Sequence, residues 1–153
     1  MNKTKIEWCD YELGWLSGII DGEGNLGLFK ETRKNFKAGV TYKPRLNISN
    51  TDINIINKCR DIIGYGSIIP HNHKKRISIG QKPCWILDVS SNGLRDLFPK
   101  IRLIAKEKQK QLLLKAMVIL SNHKGKKNPR TDAEIKRLEI IYLEIRRLNK
   151  RGI

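Results

Sequence analysis

The sequence is short of acidic residues, of paired cysteines and of long apolar runs, and each shortage removes a class of protein. Fifteen acidic residues stand against 31 lysines and arginines, a net charge of +16, well past what solubility alone requires. An excess of that size points to a polyanionic partner, nucleic acid being the commonest. A membrane surface is the rival, but basic amphipathic anchors gather their charge on one helix. Here lysine and arginine are spread along the chain. Three cysteines, Cys9, Cys59 and Cys84, are scattered, odd in number and without metal-ligand spacing, which fits isolated thiols in a reducing compartment. Residues 1–10 hold no apolar stretch of the kind that directs export, so an intracellular, unsecreted protein is expected. The longest apolar run, 112–120, is broken by Lys115 and is too short to span a bilayer; no membrane partner is expected.

What is present is enough for one folded unit. At 153 residues with 39% apolar content, the chain suits a single domain over 1–153. Leu13, Leu16 and Ile20, widened by Trp15 and Ile19, recur at helical spacing over 11–21. Gly22 and Gly24 are then expected to end that helix. A short strand is read over 26–30 and a polar, basic loop over 31–39. From Val40 the pattern alternates: Val40, Tyr42, Leu46 and Ile48 fall on one face, and Thr41, Lys43, Arg45, Asn47 and Ser49 on the other. Pro44 inside this strand predicts an edge position or a bulge. Asn50-Thr51-Asp52 offers caps for a second helix carrying Ile53, Ile56, Cys59, Ile62 and Ile63, which Gly64-Tyr65-Gly66 ends. Strands are expected at 67–69 and 76–79 around a polar turn at 71–75, and another at 84–89. A short helix at 94–98 and a long one at 104–120 follow. A basic loop at 122–130 leads to a last helix with Ile135, Leu138, Ile141, Tyr142, Ile145 and Leu148 on one side. Strands and helices do not alternate regularly, which predicts an α+β fold with an antiparallel sheet.

The most informative segment is Leu16-Ser17-Gly18-Ile19-Ile20-Asp21-Gly22-Glu23-Gly24. Gly14 and Gly18 share a helix face, as do Ser17 and Asp21, and small residues at that spacing admit a second helix closely. Asp21 and Glu23 flank Gly22 at the helix end. Two such helices side by side would gather four carboxylates and glycine carbonyls, a set that calls for a cation and suits Mg²⁺. An amphipathic helix followed by an acidic turn accounts for the same residues on composition alone.

That segment resembles the motif of the LAGLIDADG homing endonucleases, keeping its glycines, its aliphatic pair and both acids. Lys106-Glu107-Lys108-Gln109-Lys110-Gln111 is similar to the basic run that opens a later helix in single-motif members. The resemblance implies an α-β-β-α-β-β-α core with an antiparallel DNA-binding sheet and, here, an additional C-terminal helix. It implies a homodimer joined through the motif helices (Gly14, Ser17, Gly18, Asp21), because the chain holds one motif. It implies a divalent cation, Mg²⁺, at Glu23 and the Gly22 carbonyl, with Asp21 secondary and more structural. Lys108 takes the family's active-site lysine position, and Ser49 and Asn50 fall where polar residues organise active-site water. The expected activity is site-specific cleavage of double-stranded DNA at a near-palindromic target, by a protein encoded in an intron or similar mobile element. The alternative is a non-cleaving maturase that binds intron RNA; Glu23 and Lys108 favour the enzyme.

The polar face of the alternating strand carries residue types that read DNA. Lys43 and Arg45 suit guanine acceptors or phosphates, and Asn47 suits an adenine edge. Lys30, Arg33, Lys34 and Lys37 would extend that surface, as would Lys74, Lys75, Arg76 and Lys82. His71-Asn72-His73 spells the letters of another nuclease family, but a contiguous turn lacks the spacing of a metal site. The last helix shows Arg137, Arg146, Arg147, Lys150 and Arg151, which suit either phosphates or a solvated cover.

Overall fold

The structure, a computed structural model, describes residues 9–35, 39–122 and 129–150. Helix α1 (Asp10–Glu23) opens with the Cys9 thiol accepting the Glu12 N–H and buries Leu16 and Ile20. It runs through Gly22 and passes into strand β1 (Gly24–Thr32) with no loop between them. Gly24 closes the helix with an ordinary extended backbone, φ −74° and ψ 146°. Its requirement is steric, not conformational. A Cβ there would sit 2.7 Å from the Ile20 carbonyl oxygen and 3.0 Å from the Ile20 Cα, a backbone clash no rotamer change can relieve.

β1 pairs antiparallel with β2 (Val40–Asn50), from Gly24↔Ile48 to Thr32↔Val40. Glu31 and Thr32, expected in a loop, therefore belong to β1. β2 pairs on its other side with β4 (Trp85–Ser90) along Arg45–Asn50, and β3 (Ser67–Pro70) flanks β4. The order is β1-β2-β4-β3, every pair antiparallel. Pro44 lies one residue before the β4 pairing starts, so the missing N–H falls where β2 has a strand neighbour on one side only. The edge position expected of it is thus met locally inside a central strand.

Between β2 and β4, helix α2 (Ile53–Ile63) is capped by the Asp52 carboxylate on the Asn54 N–H and ends at Gly64 in the left-handed region, φ 74°. The strand expected at 76–79 is not formed. Helix α3 (His73–Ser78) occupies it, entered through Asn72 at φ 48° and followed by Gly80 at φ 75°. Ile77 and Ile79 are each 60% exposed, so a four-residue alternation without an inward partner carried no register. The His71–His73 turn is a pin: the Cys84 carbonyl accepts from the His71 N–H (2.9 Å) and lies 2.6 Å from His73 Nε2. The His73 ring also meets Trp85 edge-on.

Helix α4 (Ser91–Leu97) and a 3₁₀ turn (Phe98–Lys100) lead to α5 (Glu107–Ser121) and α6 (Asp132–Asn149). α6 starts in a capping box between Thr131 and Glu134 and buries Leu138, Ile141 and Ile145. The helices cover one face of the sheet. Leu26 and Leu28 of β1, Tyr42, Leu46 and Ile48 of β2, and Leu87 and Val89 of β4 enter one core with Leu16, Ile20, Ile56, Leu94 and Leu113. The alternate residues face away from the helices. Among the described residues, no helix is long and apolar enough to cross a membrane.

Candidate active site and nucleic-acid face

The end of α1 is held by an exchange of partners with the start of α5. A helix leaves its last carbonyls and first N–H groups unsatisfied. Asp21, the motif's first acid, accepts three consecutive N–H groups, from Ile104 (2.7 Å), Ala105 (3.1 Å) and Lys106 (3.1 Å). In return Lys106 Nζ donates to the carbonyls of Ile20 (2.9 Å) and Asp21 (2.5 Å), placing a cation at the negative end of α1. This turn also delays α5 to Glu107, three residues after the expected start. Lys106 was not singled out in the sequence; the capping logic at the end of α1 was its only signal.

Glu23 is thereby presented, exposed, as the last residue of α1. Because Gly24 pairs with Ile48, the end of β2 overshoots β1 and brings Asn50 back to it. Asn50 Nδ2 donates to Glu23 Oε2 at 2.5 Å, while Asn50 Oδ1 accepts the Asp52 N–H at 2.7 Å. The carboxylate is held by an amide that is itself held. Ser49, next to Asn50, is exposed and points to the uncovered face of the sheet. Beneath them Cys59 is fully buried. Burial first, and the Glu23 charge second, push its thiol up to about 11, so it stays protonated and inert.

Gly14, Gly18 and Gly22 are exposed along α1, and a Cβ at any of them would meet nothing within 4 Å. Ser17 lies half-buried and donates to its own helix at the Leu13 carbonyl (2.7 Å). Lys108 pairs with the far helix, its ammonium lying 3.4 Å from Glu144 of α6. Glu144 is held down to about 2, chiefly by Arg147 and then by Lys108. Lys110, two residues on, is buried and donates to the Ile101 carbonyl (2.7 Å).

The uncovered sheet face gathers Thr41, Lys43, Arg45, Asn47 and Ser49, as the alternation predicts. Two acids share it. Glu31 pairs with Lys43 and Arg33, both at 2.9 Å, which holds its carboxyl below the ordinary range. Asp88 of β4 pairs with Arg45, Nη1 to Oδ2 at 2.9 Å.

Lys30 departs from its expected place. It follows Leu26 and Leu28 onto the helix-covered face, where its ammonium donates to Glu139 of α6 (2.8 Å) and lies over the Tyr142 ring. Tyr42, opposite Lys30 in the register, also donates to Glu139. Lys30 and then Tyr42 hold the Glu139 carboxyl low. A cleft of about 600 Å³ opens here, lined by Lys30, Val40, Tyr42, Lys136 and Glu139 among others, and it contains none of the motif's acids. Lys34 lies exposed in the turn after β1, and Lys37 lies outside the described residues. Lys74, Lys75 and Arg76 ride on α3, with Arg76 Nε on the Lys82 carbonyl (2.8 Å). Among the described residues no three His, Cys, Asp or Glu side chains come together as a metal site. At the end of α1 the oxygen donors of one copy are the Glu23 carboxylate and the Gly22 carbonyl.

Known proteins share this fold. The chain resembles an archaeal intron-encoded homing endonuclease, I-Vdi141I, solved with DNA: TM-score 0.77 at 19% identity, over 94% of this chain and 87% of that one. I-CvuI, solved with a DNA target in 2 mM Mg without cleavage, gives 0.70 at 18% over the same shares. Against the meganuclease I-SmaMI, bound to uncleavable DNA, the score is 0.72 at 18%, over 90% of this chain but 45% of that one. At these identities the likeness establishes the fold. A search of curated protein sequences found no match. The sequence model described as LAGLIDADG endonuclease matches residues 16–118, two thirds of the chain and the whole stretch from the motif through most of α5. This chain belongs to the LAGLIDADG endonuclease family.

Proposed function

We propose that the protein is a site-specific, divalent-metal-dependent DNA endonuclease that works as a homodimer on a near-palindromic double-stranded target. The observation that carries this reading is the exposed Glu23 carboxylate held by Asn50 at the end of a helix whose glycine face is open. One chain supplies a single motif, with one exposed carboxylate at the end of its helix. A second copy across a two-fold axis at Gly14 and Gly18 brings a second Glu23 beside the first. The half-length match to I-SmaMI supports the same count of two.

The residues fit a hard cation. Glu23 and the Gly22 carbonyl offer oxygen, the donor type that Mg²⁺ takes. Asp21 is committed to three N–H groups, so it supports the site and leaves ligation to Glu23. A bound divalent cation supplies activation of water and stabilisation of the leaving oxygen of a phosphodiester. Asn50 keeps Glu23 in one orientation, and Ser49 and Asn50 offer polar groups to solvent at the same strand end. Lys108 offsets developing charge by exchanging Glu144 for the phosphodiester, an exchange its 63% exposed side chain permits. The uncovered sheet face lies in the major groove, where a two-stranded ribbon fits. Two related half-sites follow from the two-fold axis.

Selecting cleaved targets from a randomised duplex library in Mg²⁺ tests the whole reading. A near-palindromic consensus is expected. Glu23→Gln should abolish cleavage while DNA affinity changes less than about threefold, since a neutral isostere leaves the sheet face intact. Undiminished cutting by that variant would remove Glu23 from the chemistry. Intron RNA bound in preference to DNA, with no cutting by the unaltered protein, would replace the endonuclease with a maturase.

A further inference from the structure

Asp88 is, with Glu31, one of two acids on a sheet face that is mostly basic and polar. Its place is set by register: on β4 it lies opposite Asn47 of β2, and opposite Ser67 of β3. Both of its oxygens are engaged. Oδ2 takes Arg45 Nη1 at 2.9 Å. The Asn47 amide, with its nitrogen turned toward acceptors, donates to Oδ1 at 2.9 Å and to the Leu46 carbonyl at 3.3 Å. The Arg45 and Asp88 side chains are only 27% and 28% exposed, so the pair is more than an incidental surface contact.

A bare carboxylate facing phosphates would weaken DNA binding, and a residue recruited for affinity alone would be neutral or basic here. Asp88 accepts a single bond from a guanidinium that carries five donors, leaving most of the fork for a partner. An arginine free on a strand must be ordered on binding, at a cost in rotamer entropy. Held beforehand, it meets a guanine edge in one geometry and a wrong base with unpaired donors. The same carboxylate fixes which end of the Asn47 amide points away.

We infer that Asp88 is a positioning residue that sets base selectivity by holding Arg45 and Asn47 in one orientation on the sheet face. This rests on reading that face as the DNA-contacting one. The test compares Asp88→Ala, Asp88→Asn, Arg45→Ala and Asn47→Ala, each as the full-length protein, in relative affinity across a library of single-base-pair changes to the selected target. Thermal melting is recorded beside it.

At the base pairs where Arg45→Ala or Asn47→Ala relaxes preference, Asp88→Ala is expected to reduce discrimination by on the order of tenfold. Asp88→Asn, nearly isosteric, keeps an acceptor for Arg45 but turns an amide against Asn47. Its loss should concentrate at the pairs that depend on Asn47, and it carries the test if the alanine variant does not fold. A melting change without a change in preference would overturn the inference, as would an affinity gain shared equally by all sequences. If the Arg45 and Asn47 variants themselves keep wild-type affinity and preference, the sheet face is not the DNA face and the inference falls with it. If they shift preference and both Asp88 variants do not, Asp88 alone is at fault.

Discussion

At the scale of single residues, the two acids of the motif do different work, and the difference lies in what each touches. Asp21 is spent on three backbone N–H groups, whereas Glu23 is exposed and steadied by one amide. Asp21→Ala should therefore behave as the loss of a helix-capping acid. A stability drop of about 1–2 kcal/mol is expected, seen as a lower denaturation midpoint with an unchanged Mg²⁺ dependence of cleavage among molecules that remain folded. A shifted Mg²⁺ titration at undiminished stability would make Asp21 a ligand instead. The residues by themselves exposed both acids but not this division, which only the family resemblance implied. A carboxylate at a helix end is equally able to bind metal or to cap, and the decision rests on a turn at 104–106, more than eighty residues away. For the same reason Lys106, named only as the start of its run, carried no role beside Lys108: which lysine of a charged run reaches the end of α1 depends on where the later helix begins.

Elements were legible wherever periodicity ran long enough to fix a face. β2 alternates from Val40 to Ser49 and lands as expected, buried on the Tyr42 side and polar on the Arg45 side. The segment 76–79 offered four residues, and a helix bounded by Asn72 and Gly80 took it. Lys30 shows how one step of phase reverses a role, since Leu28 and Lys30 share a face and that face belongs to the helices. Glycines of the motif divide in the same physical way. Gly24 is closed in by its own helix, so Gly24→Ala should destabilise the folded chain by about 1–3 kcal/mol. Gly18 faces open space. Measured where both proteins are monomeric, Gly18→Leu should stay within about 1 kcal/mol of wild-type stability, with helix propensity in its favour. It should move the sedimentation profile from dimer toward monomer. A Gly18→Leu protein that still sediments as a dimer would take α1 out of the interface.

For the whole molecule, composition spoke first and most coarsely: +16 named the class of partner without saying which surface meets it. The fold assigns part of that charge elsewhere. Lys30 is held by Glu139, Lys108 and Arg147 by Glu144, and Lys58 by Glu12. None of these pairs could be deduced from spacing except the helical one between Glu144 and Arg147. The sheet face, α3 and its flank keep a smaller basic set, and those residues should dominate the salt dependence of binding. Each phosphate neutralised contributes about 0.9 to the slope of log affinity against log salt. Lys74→Ala or Lys75→Ala should lower that slope by about 0.9 for each protomer engaged, or about 1.8 in a symmetric dimer. Lys30→Ala should leave it unchanged, because the Lys30 ammonium lies on the covered face with a carboxylate already at 2.8 Å. Affinity measured from low to moderate salt on one target distinguishes them. Equal slopes for all three variants would mean that the charge acts as a diffuse field, and that α3 does not track the phosphate backbone.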